Sequence, residues 1–409
     1  MTTESSQIRI KISNVFGGSN LPITAVTVAL PANNTSGIHQ IQASTLQKVT
    51  FSGKDSISIP NGALAVSDPL NFPIKAQQVI TVTAYLATGQ ATNSITSHPG
   101  SRTTSWWQFG NAVNAAQLTV TDVTTQSAAH WYFLSSVEAW VPKSTGSLLI
   151  VGDSITDGRG SDTNKNNRWP DLLLARLQKN AATKHISVGN LAAGGNRILA
   201  DGLGPNAFGR IDRDVLAHSG IKYAMIFEGV NDIGGAAATI AAQNTVYDSL
   251  IQAYKQMATL IRAHGIPVFG ATITPFSAPS NFTGQPYSSP VREATRQASF
   301  CVGICNVLTE VAGKRSTTSF ATLGRSTPLL TSTCFWLIRP FQVNLLPNTI
   351  RVITCILGLW DTSMWRTSFP WRSSVSSGMV SVGSISCLSC REESRMHSSW
   401  LCRSNVKQQ

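Results

Sequence analysis

Short runs of alternating apolar and polar residues occupy the first part of the chain. The run from Ile8 to Ile12 alternates with a period of two, and so do parts of 23–30, 56–59 and 79–86. Gly, Pro and Asn residues separate these runs. Because this period matches the alternation of side chains in a half-buried strand, the pattern predicts closely spaced strands, which are typical of a β-sandwich. We assign this predicted all-β domain to residues 1–144.

From Gly146 onwards the pattern changes to apolar runs that alternate with helical periodicity. The predicted strands are 148–151, 186–188, 223–227 and 268–273, and the predicted helices are 169–180 and 239–264. Strands that alternate with helices in this way predict a parallel sheet with helices on both faces. We assign this predicted α/β domain to residues 145–298.

Both periodicities fade beyond about residue 299. All seven Cys and half of the ten Trp lie after residue 300, where only four residues are acidic. An ordinary domain would show helix caps, turns and an acidic share of its surface. We therefore predict that residues 299–409 form an aberrant, disordered tail, translated out of frame or through unspliced sequence. The alternative is a genuine cysteine-rich domain, in which Cys387 and Cys390 have metal-type spacing but lack a second pair.

The formal charge of +12 does not indicate a nucleic-acid partner. Residues 1–300 hold 21 basic and 16 acidic residues, a net of +5, and residues 301–409 hold 11 and 4, a net of +7. No Lys/Arg-rich run forms a phosphate-binding stripe. No stretch approaches the roughly 20 apolar residues of a membrane span. Residues 1–14 are polar, so we expect no signal peptide in them.

The strongest candidate for a catalytic segment is the turn Gly152-Asp153-Ser154, which follows the first predicted strand of the α/β domain. At the carboxyl end of a parallel strand, the Ser154 hydroxyl lies where open α/β sheets bind their ligands. A hydroxyl there can act as a nucleophile if a base removes its proton and donors hold the oxyanion. Taken alone the turn is a weak signal, because Ser is common in strand-to-helix turns. We expect Asp153 and Asp157 to be structural, with carboxylates that bind turn amides.

Two further segments lie at the carboxyl ends of the second and third predicted strands, namely Gly195-Asn196 and Gly229-Val230-Asn231-Asp232, and we expect Asn231 to end the third strand. Together with Gly152-Asp153-Ser154, and in this order, they resemble the first three sequence blocks of the SGNH (GDSL-type) hydrolase family. The resemblance covers about residues 8–298 and is closest to the esterase branch that carries an N-terminal β-sandwich. It implies a three-layer α/β/α fold with a flavodoxin-like parallel sheet.

The resemblance also implies an activity and the residues that perform it. The chain would be a secreted serine esterase, without metal or cofactor, that acts on a small-molecule or polysaccharide ester. Ser154 would be the nucleophile. The backbone N–H of Gly195 and the side-chain amide of Asn231 would join the N–H of Ser154 in the oxyanion hole, since Gly permits close backbone approach and Asn offers a neutral donor.

The family's fourth block, an Asp-x-x-His that supplies the base and its orienting carboxylate, is absent from the sequence. His185, His218 and His264 are predicted at the amino-end edge of the sheet, a strand length from Ser154. Among His98, His130 and His397, only His98 is predicted in a suitable loop. We therefore predict an esterase that is inactive as written.

The alternative is a non-catalytic, carbohydrate-binding pseudoenzyme that keeps the pocket without the base. The loop 98–107, which ends in Trp106 and Trp107, would line a sugar or ester site, or it would only connect strands of the sandwich. The residues do not distinguish among acetylated polysaccharides, small esters and lysolipids as substrates, nor do they set the oligomeric state.

Overall fold

The computed structural model describes residues 1–275 and 287–309 of the chain. Most of the predicted tail, from residue 310 onwards, lies outside the described residues. Among the residues that the structure describes, no helix combines the length and the apolar character needed to cross a bilayer.

Residues 8–139 form twelve short strands in small antiparallel sheets. The strands are β1 (Ile8–Ser13), β2 (Leu21–Ile23), β3 (Ala25–Ala29), β4 (Gln47–Val49), β5 (Ile57–Ile59), β6 (Leu64–Val66), β7 (Thr81–Tyr85), β8 (Ser97–His98), β9 (Ser105–Trp107), β10 (Gln126–Ala128), β11 (Trp131–Tyr132) and β12 (Leu134–Ala139). Two sheets have three strands, in the orders β12-β1-β6 and β4-β3-β7, and the pairs β2-β5, β10-β9 and β11-β8 complete the set.

The core of this region follows the alternation in the sequence. Ile8, Ile10 and Ile12 of β1 are buried in one cluster with Val26 and Val28 of β3. The predicted strand 23–30 is wrong in one respect, because the run is two strands. β2 pairs with β5, whereas β3 pairs with β4 and β7, so the chain changes partners between the two. An alternating pattern reports which face is buried but not which strand lies beside it.

The second half of the described chain alternates strands and helices, as predicted. The elements are β13 (Gly146–Gly152), α1 (Ser154–Asp157), α2 (Trp169–Gln178), β14 (Ile186–Asn190), β15 (Ile221–Phe227), α3 (Val230–Gly235), α4 (Ile240–Ala263), β16 (Val268–Gly270) and α5 (Pro290–Thr309). The four strands form one parallel sheet in the order β14-β13-β15-β16. The predicted α/β class and its parallel sheet are thus confirmed.

Side chains of β13 alternate between two apolar clusters. Leu149 and Val151 pack in the cluster that includes Leu250 and Met257 of α4, whereas Leu148 and Ile150 pack with Trp169 of α2. Helices therefore cover both faces of the sheet, which gives the three layers expected from the sequence. Because β13 lies between β14 and β15, chain connections diverge at its carboxyl end, and open α/β sheets bind their ligands at such a point.

Candidate active site

The turn after β13 presents Ser154 at the start of a helix. Asp153 caps α1, and its side chain accepts a hydrogen bond of 2.9 Å from the backbone N–H of Ile155, as predicted for a turn carboxylate. A Cβ on Gly152 would lie 2.9 Å from the carbonyl oxygen of Phe227, so the close approach of β15 requires glycine here. Ser154 itself is half-buried, at the carboxyl end of the central strand.

A second loop, which follows β14, brings Gly195 to the same end of the sheet. Gly195 has a φ of +72°, a conformation that favours glycine. Two bonds hold this loop to the third segment, because the backbone N–H groups of Ile198 and Leu199 each donate to the Asp232 carboxylate over 2.9 Å. The N–H of Ala193 also donates to the carbonyl of Gly152 over 3.0 Å. The loop is thereby tied to the ends of both neighbouring segments.

Asn231 does not end the third strand, as the sequence pattern suggested. β15 ends at Phe227, and Asn231 lies in the first turn of α3, which Gly229 caps with a φ of +121°. Asn231 is half-buried, and its Nδ2 donates to the carbonyl of Asn196 over 2.8 Å, while its Oδ1 accepts from the Tyr287 hydroxyl over 3.2 Å. The amide therefore faces the Gly195 loop. Its nitrogen carries two hydrogens, one of which makes this bond.

Two carboxyl groups are buried beneath these loops. Neither oxygen of Glu228 has a hydrogen-bond partner among the described residues, and the nearest cation is the Arg210 guanidinium, 3.8 Å away. Burial raises the pKa of Glu228 to about 8, although the charge of Arg210 opposes the shift. Burial likewise raises the pKa of Asp153 to about 7, against the hydrogen bond from Ile155. Both groups therefore bind protons in the folded chain at pH values where they would be ionised in the unfolded chain.

This difference predicts that Asp153 and Glu228 destabilise the fold as the pH rises. Below about pH 4 both groups are protonated in both states. Above this pH the groups ionise in the unfolded chain, whereas in the folded chain they stay protonated up to about pH 7 for Asp153 and about pH 8 for Glu228. Their contribution to the free energy of unfolding should therefore fall by a few kcal/mol over that interval. The measurement is urea unfolding of the wild type, Asp153→Asn and Glu228→Gln at several pH values. Each variant should gain stability relative to the wild type as the pH rises.

The exposed Asp55, which pairs with Lys48 at the surface, provides the matched control. Asp55→Asn should show no such gain, because exposed ion pairs contribute little. Parallel pH profiles for Glu228→Gln and the wild type would contradict the assignment of a buried, protonated Glu228.

His98 contacts the segment that carries Ser154. Its Nε2 lies 2.7 Å from Oδ1 of Asp157, the last residue of α1, and the Asp157 side chain is only 8% exposed. The backbone of Gly100 also lies against this carboxylate, because a Cβ there would be 1.9 Å from Oδ2 of Asp157. The Asp157 carboxylate was expected to bind a turn amide. Instead it bonds His98, which ends β8 and does not lie in a loop as predicted, and it lies against the backbone of Gly100.

Three further histidines, His185, His218 and His264, lie near the strands of the parallel sheet. His185 directly precedes β14, and His264 caps the end of α4 before β16, with Nδ1 3.1 Å from the carbonyl of Leu260. His218 lies shortly before β15. These three residues therefore lie at the amino ends of strands, as expected, and Ser154 lies at the carboxyl end.

The predicted loop 98–107 is wrong at both ends, because His98 ends β8 and the two tryptophans lie in β9. The two tryptophans have different environments. Trp106 is half-buried, and its indole N–H donates to the carbonyl of Gly37 over 2.9 Å. Trp107 is 40% exposed and its ring contacts Tyr132 edge-on, with ring centroids 5.8 Å apart. Trp106 thus ties β9 to the backbone at Gly37, whereas Trp107 lies at the surface.

Sequence reasoning missed the segment between Gly195 and β15 that packs under the site. A 3-10 turn at Phe208–Arg210 and a π-helical turn at Asp212–Leu216 fill this interval and bury Arg210. Neither turn is long enough to show a helical period in the sequence. A buried arginine cannot be told from a surface one by its neighbours in the chain.

Residues 148–314 match the family model described as GDSL-like Lipase/Acylhydrolase. Among curated proteins, none matches the chain. Similar solved structures include an acetyl xylan esterase at 18% identity, with a TM-score of 0.29, over 40% of this chain and 73% of the other.

Two further solved structures, both of bacterial proteins, are also similar to this chain. An acetylxylan esterase from Geobacillus stearothermophilus is 17% identical, with a TM-score of 0.30, over 41% of this chain and 75% of its own. A GDSL-like lipase from Bacteroides thetaiotaomicron is 16% identical, with a TM-score of 0.27, over 43% of this chain and 68% of its own. Residues 148–314, which contain all three sequence blocks, are therefore a GDSL-like lipase/acylhydrolase domain, a hydrolase domain of the class that acts on ester bonds.

Proposed function

We propose that the chain carries the acyl-transfer site of a serine esterase, with Ser154 as its nucleophile. One observation supports the proposal: hydrogen bonds join the strand end before Ser154 to the loop that holds Gly195, and join that loop to Asn231. The Gly152 carbonyl beside the Ser154 turn accepts from Ala193, and the Asn196 carbonyl beside Gly195 accepts from Asn231. A nucleophile and neutral donors so placed suit the addition of a hydroxyl to an ester carbonyl.

The chemistry proceeds in two steps. Ser154 Oγ bonds to the carbonyl carbon as its proton passes to a base, and the N–H groups of Ser154, Gly195 and Asn231 stabilise the oxyanion that forms. The intermediate then expels the alcohol, which takes up that proton, and leaves an acyl group on Ser154. Water hydrolyses this ester by the same route and releases the acid. The substrate is a small-molecule or polysaccharide ester, and the family resemblance favours a secreted enzyme.

The base is the missing part of this site. The family's Asp-x-x-His occurs nowhere in the 409 residues. His98 reaches the Ser154 segment, but its Nε2 contacts Asp157. We therefore propose that residues after about 298 replace a native segment and leave this chain inactive as written. The support is compositional: a tail with all seven cysteines and few acidic residues departs from ordinary domains.

We expect the purified full chain to hydrolyse p-nitrophenyl acetate at close to the rate in buffer, without sensitivity to a serine-directed phosphonate. A general base contributes about 10²–10⁴-fold, and this chain lacks the family's base. Sequencing of the gene and transcript beyond codon 297 should reveal an Asp-x-x-His in another frame or beyond an intron.

Turnover by the printed chain that the phosphonate abolishes would disprove the proposed inactivity. If no reading frame beyond codon 297 encodes an Asp-x-x-His, the replacement hypothesis fails. Binding of xylo-oligosaccharides without hydrolysis would then favour the pseudoenzyme.

A further inference from the structure

We propose that Arg210 is a positioning residue of the oxyanion hole: its guanidinium fixes Asn196 and, through the Asn196 carbonyl, the amide of Asn231. The inference rests on the proposed function, because it assigns Asn231 the task of an oxyanion donor. It adds a residue that lies in none of the three sequence blocks.

The Arg210 guanidinium is buried and reaches two strand ends and the Gly195 loop. The side chain is only 4% exposed. Its Nε and Nη2 both donate to Oδ1 of Asn196, over 3.0 and 2.7 Å. Its Nη1 donates to the carbonyl of Leu191 over 2.7 Å, just after β14, and Nη2 lies 3.4 Å from the carbonyl of Gly152 at the end of β13. The guanidinium thus contacts the backbone at the carboxyl ends of both β13 and β14.

Asn196 transmits this constraint to Asn231. Asn196 is only 1% exposed, and Arg210 binds one end of its side-chain amide while the other end donates to the carbonyl of Pro205 over 2.7 Å. With its side chain held at both ends, the backbone carbonyl of Asn196 has a defined position. That carbonyl accepts the 2.8 Å hydrogen bond from Nδ2 of Asn231. Two hydrogen-bonded steps therefore separate the guanidinium from the proposed donor.

The Asp214 carboxylate balances the charge of Arg210, and it binds a different nitrogen from the two that bind Asn196. Nη1 of Arg210 lies 3.0 Å from the Asp214 carboxylate one turn along the chain, and Glu228 approaches Nη2 to 3.8 Å. These contacts hold the guanidinium plane while Nε and Nη2 remain directed at Asn196. A lysine at this position would keep the charge but could not make the forked pair of bonds, because its ammonium lacks the planar array of donors.

The test uses the full chain and a readout that does not require the missing base. At about pH 9.5 hydroxide can take the Ser154 proton, and a fluorophosphonate in excess then forms a bond from Oγ to phosphorus as fluoride leaves. Donors that hold the phosphoryl oxygen, on which negative charge develops, stabilise the transition state of this step whether or not the native base is present. The rate of Ser154 modification, followed by peptide mass spectrometry, therefore reports on donor placement. Ser154→Ala fixes the background.

We expect Asn231→Ala and Arg210→Lys each to slow modification of Ser154 by about tenfold or more. The double variant should be little slower than Asn231→Ala alone, because Arg210 acts through that donor. Asn196→Ala removes the link without disturbing the buried charge, and it should reproduce the effect of Arg210→Lys if the latter does not fold. Arg213→Lys is the matched control: this half-exposed arginine pairs with the same Asp214 but makes no bond to Asn196. It should label at the wild-type rate.

The outcomes separate the inference from the proposed function. Effects of Arg210→Lys and Asn231→Ala that multiply in the double variant would indicate a merely structural arginine and overturn the inference. So would an unchanged rate in folded Arg210→Lys and Asn196→Ala. Wild-type protein that is modified no faster at Ser154 than at other serines would overturn the proposed nucleophile, and the inference with it. Thermal melts of every variant establish that the labelled protein is folded.

Discussion

Replacing residues 299–409, the tail that we propose is aberrant, with the frame-corrected sequence should raise the rate of p-nitrophenyl acetate hydrolysis by roughly 10³-fold or more over the printed chain. The described residues already hold the proposed nucleophile and oxyanion donors, so the expected gain comes from the base and from its orienting carboxylate. In the corrected protein, replacement of the motif histidine by alanine should return the rate to that of the printed chain. The comparison requires both proteins to be folded, which circular dichroism establishes.

The corrected protein should also be more soluble. Within the described residues β16 pairs with β15 alone, so one edge of the sheet has no strand partner there. Exposed edges of this kind promote aggregation between chains. A folded, corrected protein that hydrolyses the ester no faster than the printed chain would contradict the assignment of this site to catalysis.

Asn231→Ala in the corrected enzyme should lower kcat by about 10²–10³-fold and leave KM nearly unchanged. A neutral donor that meets charge only in the transition state lowers the barrier without tightening substrate binding. Asn231→Asp should be at least as slow, because it replaces the donor with an acceptor of the same shape. Ser154→Ala should remove the acyl-enzyme route altogether. Steady-state kinetics, with thermal melts alongside, measure these effects.

Asp157→Ala is the comparison that separates folding from chemistry. The Asp157 carboxylate bonds His98 rather than any of the proposed donors, so we expect its loss to lower the melting temperature more than kcat. An Asn231→Ala enzyme with full kcat would show that the bond from Asn231 to Asn196 is purely structural, and Asn231 would then have no place in the oxyanion hole.

The periodic elements of this fold could be predicted from the sequence. β13, α2 and α4 are long enough for their apolar residues to repeat, and their predicted and observed limits agree closely. α3 has only six residues and begins at a glycine cap, so Asn231 was placed at the end of a strand. A period cannot be recognised in an element that completes fewer than two turns.

The supporting contacts of the candidate site could not be predicted, because they join residues far apart in the chain. His98 and Asp157 are 59 positions apart, and Arg210 and Gly152 are 58 apart. The candidate donors lie shortly after strand ends, and the topology of a parallel sheet brings these ends to one edge. The buried arginine follows no strand, and its orientation is set by the fold around it.

The contact between Gly100 and Asp157 constrains how this sequence can diverge. Any side chain at position 100 would occupy the space of the Asp157 carboxylate, since even a Cβ would lie 1.9 Å from Oδ2. A residue larger than glycine there is compatible only with a smaller residue at position 157, which would leave His98 without its carboxylate. We therefore expect substitutions at the two positions to be coupled, although 57 positions of the chain separate them. Exchange of the strands of residues 8–139 for those of another protein would therefore preserve the contact to Asp157 only where glycine occupies the equivalent of position 100.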